Sequence, residues 1–316
     1  MSDTLRTSSR TTPAPAAGRI AQVTFNDRTT HTLTDLAAAH QHLLANPPAP
    51  SPTGVLLRTC HRTEWYSTTT DGPVLDLNTR IVGHDAATAR LAQIAAGCLS
   101  VIPGEAFIHR QVSHAFAALP VTHPLRRAAA EPLLLATEAR RRFGLESRFD
   151  YTDLTRQLLT QPGPAAGTPT GFTAIVGGGM LARAVAADLA HDRAVIMITR
   201  DPKSLRNTLT RAGTPAVALR LTAARQDLAG HRFDLVLATN GIDHAYRTAI
   251  ANLATNDGCQ QVVDLCATPL LASGPGRRHL HDDDVLATIA TATATTAERA
   301  AQAAAWIAGR MKETTR

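Results

Sequence analysis

The sequence has 316 residues, of which 44% are hydrophobic and 18% charged, and its formal net charge is +6. At about 150 residues per domain, this length predicts two domains, and the composition excludes a disordered chain. No run of 18 uninterrupted apolar residues is present, which argues against a membrane span. Residues 1–18 are polar and proline-rich without an apolar core, so we expect a disordered tail and not a secretory signal.

The four cysteines lack the spacing of a zinc site or a disulfide framework, which favours a reduced, cytoplasmic protein. Cys60 differs from the other three because Arg58, His61 and Arg62 flank it, and nearby positive charge lowers the pKa of a thiol. The others are expected to be small core residues: Cys98, Cys259 and Cys266. The basic surplus favours a nucleic acid or a phosphorylated cofactor as partner, although a GC-rich genome explains it equally well.

The first half of the chain predicts a mixture of strands and helices. Strands are expected at 21–25 and from 55–57 into the Cys60 segment, separated by a helix over 33–45 and a proline-rich loop. Helical spacing then predicts three further helices, over 86–97, 104–118 and 128–143. The last of these ends in a basic run, which suits the helix dipole.

The second half changes character after a segment rich in Gly and Pro, residues 161–171. A strand, a glycine turn and a helix follow, and the alternation of strands and helices predicts a parallel sheet covered on both faces. We therefore predict an α/β protein with an N-terminal α+β catalytic domain, a Rossmann-type doubly wound domain and a short C-terminal helix. The expected bounds are a disordered tail at 1–18, a catalytic domain at 19–160, a linker at 161–171, a nucleotide domain at 172–285 and a helical tail at 286–316.

The glycine turn follows a buried strand and opens a helix, as a dinucleotide-binding turn requires. In this pattern, Gly177 allows the tight turn, Gly179 lets the backbone approach a pyrophosphate, and Ala182 allows close helix packing. The second strand ends at Thr199 and Arg200, which suit a 2′-phosphate and favour NADPH, although the nearby Asp201 is the type of residue that favours NAD. The predicted cofactor residues are Gly177, Gly178, Gly179, Met180, Leu181, Ala182, Thr199, Arg200, Lys203 and Thr239.

A reactive thiol combined with a hydride donor indicates one class of chemistry. The thiolate attacks an activated acyl group to form a thioester, which hydride then reduces to an aldehyde. The acyl donor is open at this point, because an acyl phosphate, an acyl-CoA and an aminoacyl ester on tRNA would all serve.

Three blocks of sequence resemble glutamyl-tRNA reductases, the enzymes that commit glutamate to tetrapyrrole and porphyrin biosynthesis. Residues 58–66 read R-T-C-H-R-T-E-W-Y where that family reads S-T-C-N-R-T-E-x-Y. A second block keeps the family's spacing at Arg90, Leu91, Ile94, Ala95, Gly97, Ser100, Gly104, Glu105, Ile108, Gln111 and Val112. The nucleotide turn is the third block, and the acidic run 282–284 also resembles the family.

The resemblance implies roles for the residues that match. Cys60 is implied to be the nucleophile that takes the aminoacyl group from tRNA, with NADPH as reductant. The positions that correspond to the family's substrate pocket are Thr59, His61, Arg62, Ser100, Glu105, Phe107 and Gln111. Arg62 suits an anionic substrate group, or alternatively a salt bridge to Glu64 or another carboxylate.

Several positions depart from the family pattern. Arg90 stands where the family has a histidine thought to assist the chemistry, and arginine does not deprotonate near neutral pH, so only an electrostatic catalytic role is open to it. Phe107 replaces a glutamine, and His61 an asparagine. The family's C-terminal dimerisation domain is not expected here, which makes its V-shaped dimer unlikely and leaves a monomer or another dimer. An apolar stripe on the last helix would pack on the nucleotide domain or pair with another chain: Ala300, Ala304, Ile307 and Met311.

The resemblance therefore implies an NADPH-dependent reductase acting on a charged tRNA, by default glutamyl-tRNA. The changed pocket keeps open a different aminoacyl-tRNA or a carrier-bound acyl group in a specialised pathway. A non-catalytic paralogue that binds NADPH or tRNA is the alternative from another functional class.

Overall fold

The computed structural model describes residues 19–26, 42, 51–59, 62–70, 79–146, 149–160, 171–239 and 242–314. The predicted helix over 33–45, the linker over 161–170 and the first 18 residues lie outside the described residues, except for His42. Within the described part of the chain, no helix is both long enough and apolar enough to cross a bilayer.

The first sheet is antiparallel and contains β1 (Gln22–Asn26), β2 (Gly54–Arg58), β3 (Thr63–Ser67) and β4 (Thr79–Val82). Their order across the sheet is β2-β3-β1-β4. Strand β3 is central and buried along its whole length. The indole of Trp65 lies over Gly54 of the neighbouring strand, where an added Cβ would come within 2.1 Å of the ring.

Four helices follow the first sheet: α1 (His84–Ala96), α2 (Ala106–Ala117), α3 (Pro124–Ala128) and α4 (Ala130–Phe143). Helix α1 ends because Gly97 adopts a left-handed conformation, with φ of 82°. It packs against α2 and α4, and its buried face joins Val23 and Leu57 of the sheet in one hydrophobic core.

The second sheet has six parallel strands: β5 (Phe172–Val176), β6 (Ala194–Ile198), β7 (Ala216–Leu219), β8 (Phe233–Leu237), β9 (Cys259–Asp264) and β10 (Arg277–His279). Their order is β7-β6-β5-β8-β9-β10. This is the doubly wound arrangement, in which the chain reverses its direction of travel between β5 and β8.

Helices cover both faces of the parallel sheet: α5 (Tyr151–Thr160), α6 (Met180–Leu189), α7 (Pro202–Ala212), α8 (Leu221–Asp227) and α9 (His244–Ala254). Alternate residues of β5 point to opposite cores, since Ile175 packs with α5, α6 and α7 while Ala174 and Val176 pack with α8 and α9. Burial on both faces explains why β5 and β8 are mainly apolar, with one polar residue in each, Thr173 and Asp234. The prediction of a covered parallel sheet is confirmed.

The last helix, α10 (Asp283–Thr314), has 32 residues and is much longer than the short helix that was predicted. Its start, through Val285 and Ile289, belongs to a core of the parallel sheet. Its second half packs on α1 and α4, in the first core, through Ala300, Ala303, Ile307 and Met311. The predicted apolar stripe is thus covered within this chain by the N-terminal helices, and not by the parallel sheet.

Candidate functional site

The turn between β2 and β3 is the segment that the sequence marks as catalytic. The backbone N–H of Thr59 donates to the carbonyl of Arg62 over 3.0 Å, which closes the turn. Cys60 and His61 lie outside the described residues. Thr59 and Arg62 are both buried, each 6% exposed, so the turn holds its flanking side chains inside the protein.

The Arg62 guanidinium is the least satisfied buried group of this region. Its Nη2 donates to the carbonyl of Leu99, in the loop between α1 and α2. Its Nε and Nη1 are buried and have no hydrogen-bond partner among the described residues. Leaving buried donors unpaired costs about 1–3 kcal/mol, and more for a charged group. This arrangement favours an acceptor on a bound ligand.

Glu64 lies on β3, two residues beyond Arg62, and is fully buried. The guanidinium of Arg90 donates to both of its carboxylate oxygens, over 2.8 and 3.3 Å. The Tyr66 hydroxyl donates to Glu64 over 2.7 Å, and the Arg90 guanidinium stacks 3.2 Å from the centroid of the Phe25 ring. In the structure, the carboxylate of Glu64 is therefore paired with Arg90. Arg90 is the residue for which the sequence resemblance implied a catalytic role.

The loop before α2 carries Glu105, whose side chain is buried. Burial raises the pKa of its carboxyl to about 7, against the opposing effect of the positive charges of Arg62 and Arg140. Because the charge of Arg62 acts on the pKa of Glu105, the two side chains lie near one another. At neutral pH the Glu105 carboxyl is populated in both its neutral and its ionised form, as an acid–base group requires.

Arg140 of α4 holds this loop in place, a role that the sequence did not indicate. Its guanidinium donates to the carbonyls of Ala96, Gly104 and Glu105 over 3.0 to 3.1 Å. The basic end of α4 had been explained by the helix dipole alone. A partner so distant in the chain leaves no local sequence pattern.

Not all predicted substrate residues meet at the turn. Ser100 is half-buried and lies next to Leu99, which accepts from Arg62. Phe107 and Gln111 share one face of α2, and Phe107 packs at the edge of the core beneath the parallel sheet. We call Thr59, Arg62, Ser100 and Glu105 the candidate pocket, in which a hydrogen bond joins Thr59 to Arg62 and the charge of Arg62 acts on Glu105. Phe107 belongs to the core beneath the parallel sheet.

The other three cysteines pack against hydrophobic cores, as the sequence predicts. Burial raises the pKa of the Cys98 thiol to about 11 and that of the Cys259 thiol to about 12. These two thiols are therefore protonated at neutral pH and are poor nucleophiles. Cys266 is buried.

The second candidate site is a cavity of about 310 Å³ at the carboxyl ends of β5, β6 and β8. It lies at the point where the strand order reverses, where open α/β sheets bind their ligands. Its lining includes most of the predicted cofactor residues, namely Gly177, Gly178, Gly179, Met180, Leu181, Thr199, Arg200 and Thr239. Ala182 lies behind the turn and Lys203 lies on α7, and neither lines the cavity.

The three glycines of the turn have different geometry. Gly177 has φ of +139°, and an added Cβ would lie 2.3 Å from the carbonyl oxygen of Ala238, so only glycine fits there. Gly179 precedes the first turn of α6, and an added Cβ would meet nothing within 4 Å. The helix start therefore opens onto free space, and no side chain caps its first N–H groups. Such an end suits a phosphate.

Six residues of this lining were missed from the sequence, and four of them are apolar residues at or just after the ends of strands: Val176, Ile198, Ala238 and Leu265. The other two are Ile242, just before α9, and Tyr246, in its first turn. Asp243 caps α9 by accepting from the backbone N–H of Tyr246 over 2.8 Å. An Asp followed three residues later by an aromatic residue is the signal that could have found this wall.

The order of the strands and the open glycine turn define a doubly wound α/β protein compatible with a nucleotide cofactor. No family model matches the sequence. The chain is 28% identical over 232 residues to protein nfe2 of Rhizobium meliloti, covering 69% of this chain and 73% of that protein. A solved glutamyl-tRNA reductase from Methanopyrus kandleri aligns over 94% of this chain and 81% of its own, at 16% identity and a TM-score of 0.39. Neither likeness assigns a function, which has to be argued from the residues.

Proposed function

We propose that this chain is an NADPH-dependent reductase of an aminoacyl-tRNA, with glutamyl-tRNA as its default substrate and glutamate-1-semialdehyde as product. The observation that carries the proposal is the buried Arg62 guanidinium beside the Cys60 turn, with two nitrogens unpaired among the described residues. An anionic or carbonyl group of a substrate would satisfy these donors. The choice of tRNA as the carrier follows from the sequence resemblance around Cys60 and Glu105.

The reaction begins when the Cys60 thiolate attacks the ester carbon that joins the amino acid to the tRNA. A carbon–sulfur bond forms, the carbon–oxygen bond breaks, and the leaving oxygen of the tRNA takes a proton. Bound NADPH would supply the hydride that reduces the thioester. Breaking of the carbon–sulfur bond then releases the aldehyde and restores the thiolate.

The described residues suit the supporting roles. Arg62 would hold the substrate by charge, and the Thr59–Arg62 turn fixes its position. The Glu105 carboxyl, with its pKa raised by burial to about 7, can give a proton to the leaving oxygen. Arg90 is engaged by Glu64, so we assign it to positioning the β3 strand and not to proton transfer.

The residues of the cavity fit NADPH. The open N-terminus of α6 would hold the diphosphate, and the Thr199 hydroxyl and Arg200 guanidinium at the end of β6 would hold a 2′-phosphate. The finding that Gly179 faces free space supports this fit.

A single-turnover assay tests the proposal. The protein is mixed with NADPH and one charged tRNA at a time, beginning with glutamyl-tRNA, and the aldehyde is captured chemically. We expect aldehyde from one charged tRNA, none with Cys60→Ser, and full activity with the matched control Cys98→Ser. Activity that survives ribonuclease treatment of the substrate would show that the body of the tRNA is not recognised and would favour a carrier-bound acyl group, to be tested as a separate substrate. Absence of aldehyde from every charged tRNA would contradict the proposal.

A further inference from the structure

The wall formed by Ile242 and Tyr246 closes the nucleotide cavity on the α9 side. Ile242 is buried and Tyr246 is half-buried, and both line the cavity. Asp243 fixes the backbone of Tyr246 through the helix cap, so the ring is held by the fold and not by a flexible loop. No residue of this wall has an assigned part in the proposed reaction.

Tyr246 and Arg200 both line the cavity. Burial raises the pKa of the Tyr246 phenol, and the positive charge of Arg200 opposes that rise. The two side chains therefore lie close together although they come from opposite sides of the point where the strand order reverses. An aromatic face and a guanidinium in one cavity suit a flat, electron-rich ring that carries a nearby anion.

The geometry of the doubly wound fold fixes where each part of a dinucleotide lies. The diphosphate lies at the start of α6, and the adenosine ribose lies at the end of β6, beside Thr199 and Arg200. The base attached to that ribose would extend into the remaining part of the cavity. The lining outside the glycine turn and the end of β6 includes Ile242 and Tyr246, one apolar and one aromatic.

We propose that Tyr246 is the adenine-binding residue of this site, stacking on the base while Arg200 pairs with the 2′-phosphate of the same adenosine. The inference rests on the proposed NADPH site. It assigns recognition of the base and recognition of the 2′-phosphate to two different residues. Tyr246 contributes to any adenine nucleotide, and Arg200 contributes to the phosphorylated form alone. Selectivity for NADPH over NADH therefore depends on Arg200, and affinity for both depends on Tyr246.

Binding titrations of the full chain test this division without any substrate. The probes are NADPH, NADH and 2′,5′-ADP, the last of which carries the base and the 2′-phosphate without nicotinamide. Tyr246→Leu keeps apolar bulk but removes the ring, and Tyr246→Phe is the matched control that keeps the ring. Thermal unfolding of each variant establishes that it is folded.

We expect Tyr246→Leu to raise the Kd of all three probes about tenfold, because a base stacked on an aromatic ring contributes on that scale. Tyr246→Phe should stay within about twofold, and Arg200→Gln should weaken NADPH and 2′,5′-ADP but leave NADH unchanged. Equal affinity of Tyr246→Leu and the parent protein for NADPH and 2′,5′-ADP would overturn the inference alone. If the Kd values follow the expected pattern but no charged tRNA gives aldehyde, the proposed reaction alone is overturned. If the parent protein binds none of the three probes, the inference and the proposed reaction are both overturned.

Discussion

Glu105 and Arg62 show how the candidate pocket differs from the rest of the interior. Most buried polar groups in a folded protein are hydrogen-bonded. Here a buried carboxyl with a raised pKa and a guanidinium with two nitrogens unpaired among the described residues lie in one neighbourhood. Burying each of these two groups costs free energy in the unbound protein, and a bound substrate would remove that cost. Perturbed groups of this kind are typical of functional sites.

The Glu105 carboxyl should make stability depend on pH. It binds its proton more tightly in the folded chain, with a pKa of about 7, than at its ordinary value of 4.5. The free energy of unfolding therefore falls as the pH rises from 4.5 to 7, by roughly 3 kcal/mol at 1.36 kcal/mol per pKa unit. Urea unfolding across this interval should show that Glu105→Gln lacks this loss.

The exposed Glu146→Gln variant is the matched control for that comparison. Relative to the parent protein, Glu105→Gln should gain stability with rising pH up to 7 and change little beyond it. Parallel stability curves for Glu105→Gln and the parent would show that the Glu105 proton is not bound more tightly in the folded state.

The Arg90–Glu64 pair gives a second prediction at the residue scale. Arg90→Met leaves the fully buried Glu64 without its cation, which should cost about 3–5 kcal/mol of stability. Adding Glu64→Gln removes the uncompensated charge, so the double variant should regain most of that loss in a chemical unfolding experiment. An equal loss in the single and double variants would mean that the two residues do not act as a pair.

Activity of the double variant separates positioning from chemistry. A positioning role for Arg90 predicts that aldehyde formation returns together with stability. A stable double variant without activity would restore to Arg90 the direct catalytic part that the sequence suggested.

At the scale of elements, the glycine turn before α6 separates folding from binding. Gly179 has φ of −73° and open space around it, so Gly179→Ala should leave the unfolding midpoint nearly unchanged. The added methyl enters the space assigned to the diphosphate, and we expect at least a tenfold rise in the Kd of NADPH. Gly177→Ala should instead lower the unfolding midpoint, because its Cβ would collide with Ala238. NADPH binding to Gly179→Ala at the parent's affinity would contradict the placement of the cofactor.

The sequence predicted the elements whose patterns are local. Residues 172–176 form the predicted strand, and the predicted helix after the glycine turn begins at Met180. Strand β4 and the edge strand β7 were missed because each has four residues, too few to show a period. Helix α5 also went unrecognised, although it packs on the core of the parallel sheet.

The candidate site was likewise predictable where its residues belong to contiguous motifs. The nucleotide turn and the Cys60 segment are contiguous motifs, and most of the predicted cofactor residues line one cavity. The roles of Arg140, which binds the carbonyls of Ala96, Gly104 and Glu105, and of Tyr246, which lines the cavity from α9, depend on tertiary contacts. Such contacts produce no recognisable residue spacing in the sequence.

At the scale of the whole molecule, helix α10 contributes to the core of the N-terminal helices and to one of the two cores of the parallel sheet. Its first turns pack with the parallel sheet and its second half packs on α1 and α4. The last helix therefore links the sheet that carries the nucleotide cavity to α1 and to α4, whose Arg140 holds the Glu105 loop of the candidate pocket. The proposed reaction needs both parts, because the thioester forms at Cys60 and the hydride donor binds at the glycine turn.

The most direct test of the proposed function is to trap the acyl group on the protein. The chain is mixed with charged tRNA in the absence of NADPH, and the intact mass and the Cys60 peptide are analysed by mass spectrometry. We predict an adduct of one aminoacyl group on Cys60 that disappears as aldehyde forms when NADPH is added. A tRNA that stays charged, or aldehyde formation by Cys60→Ser, would contradict the account.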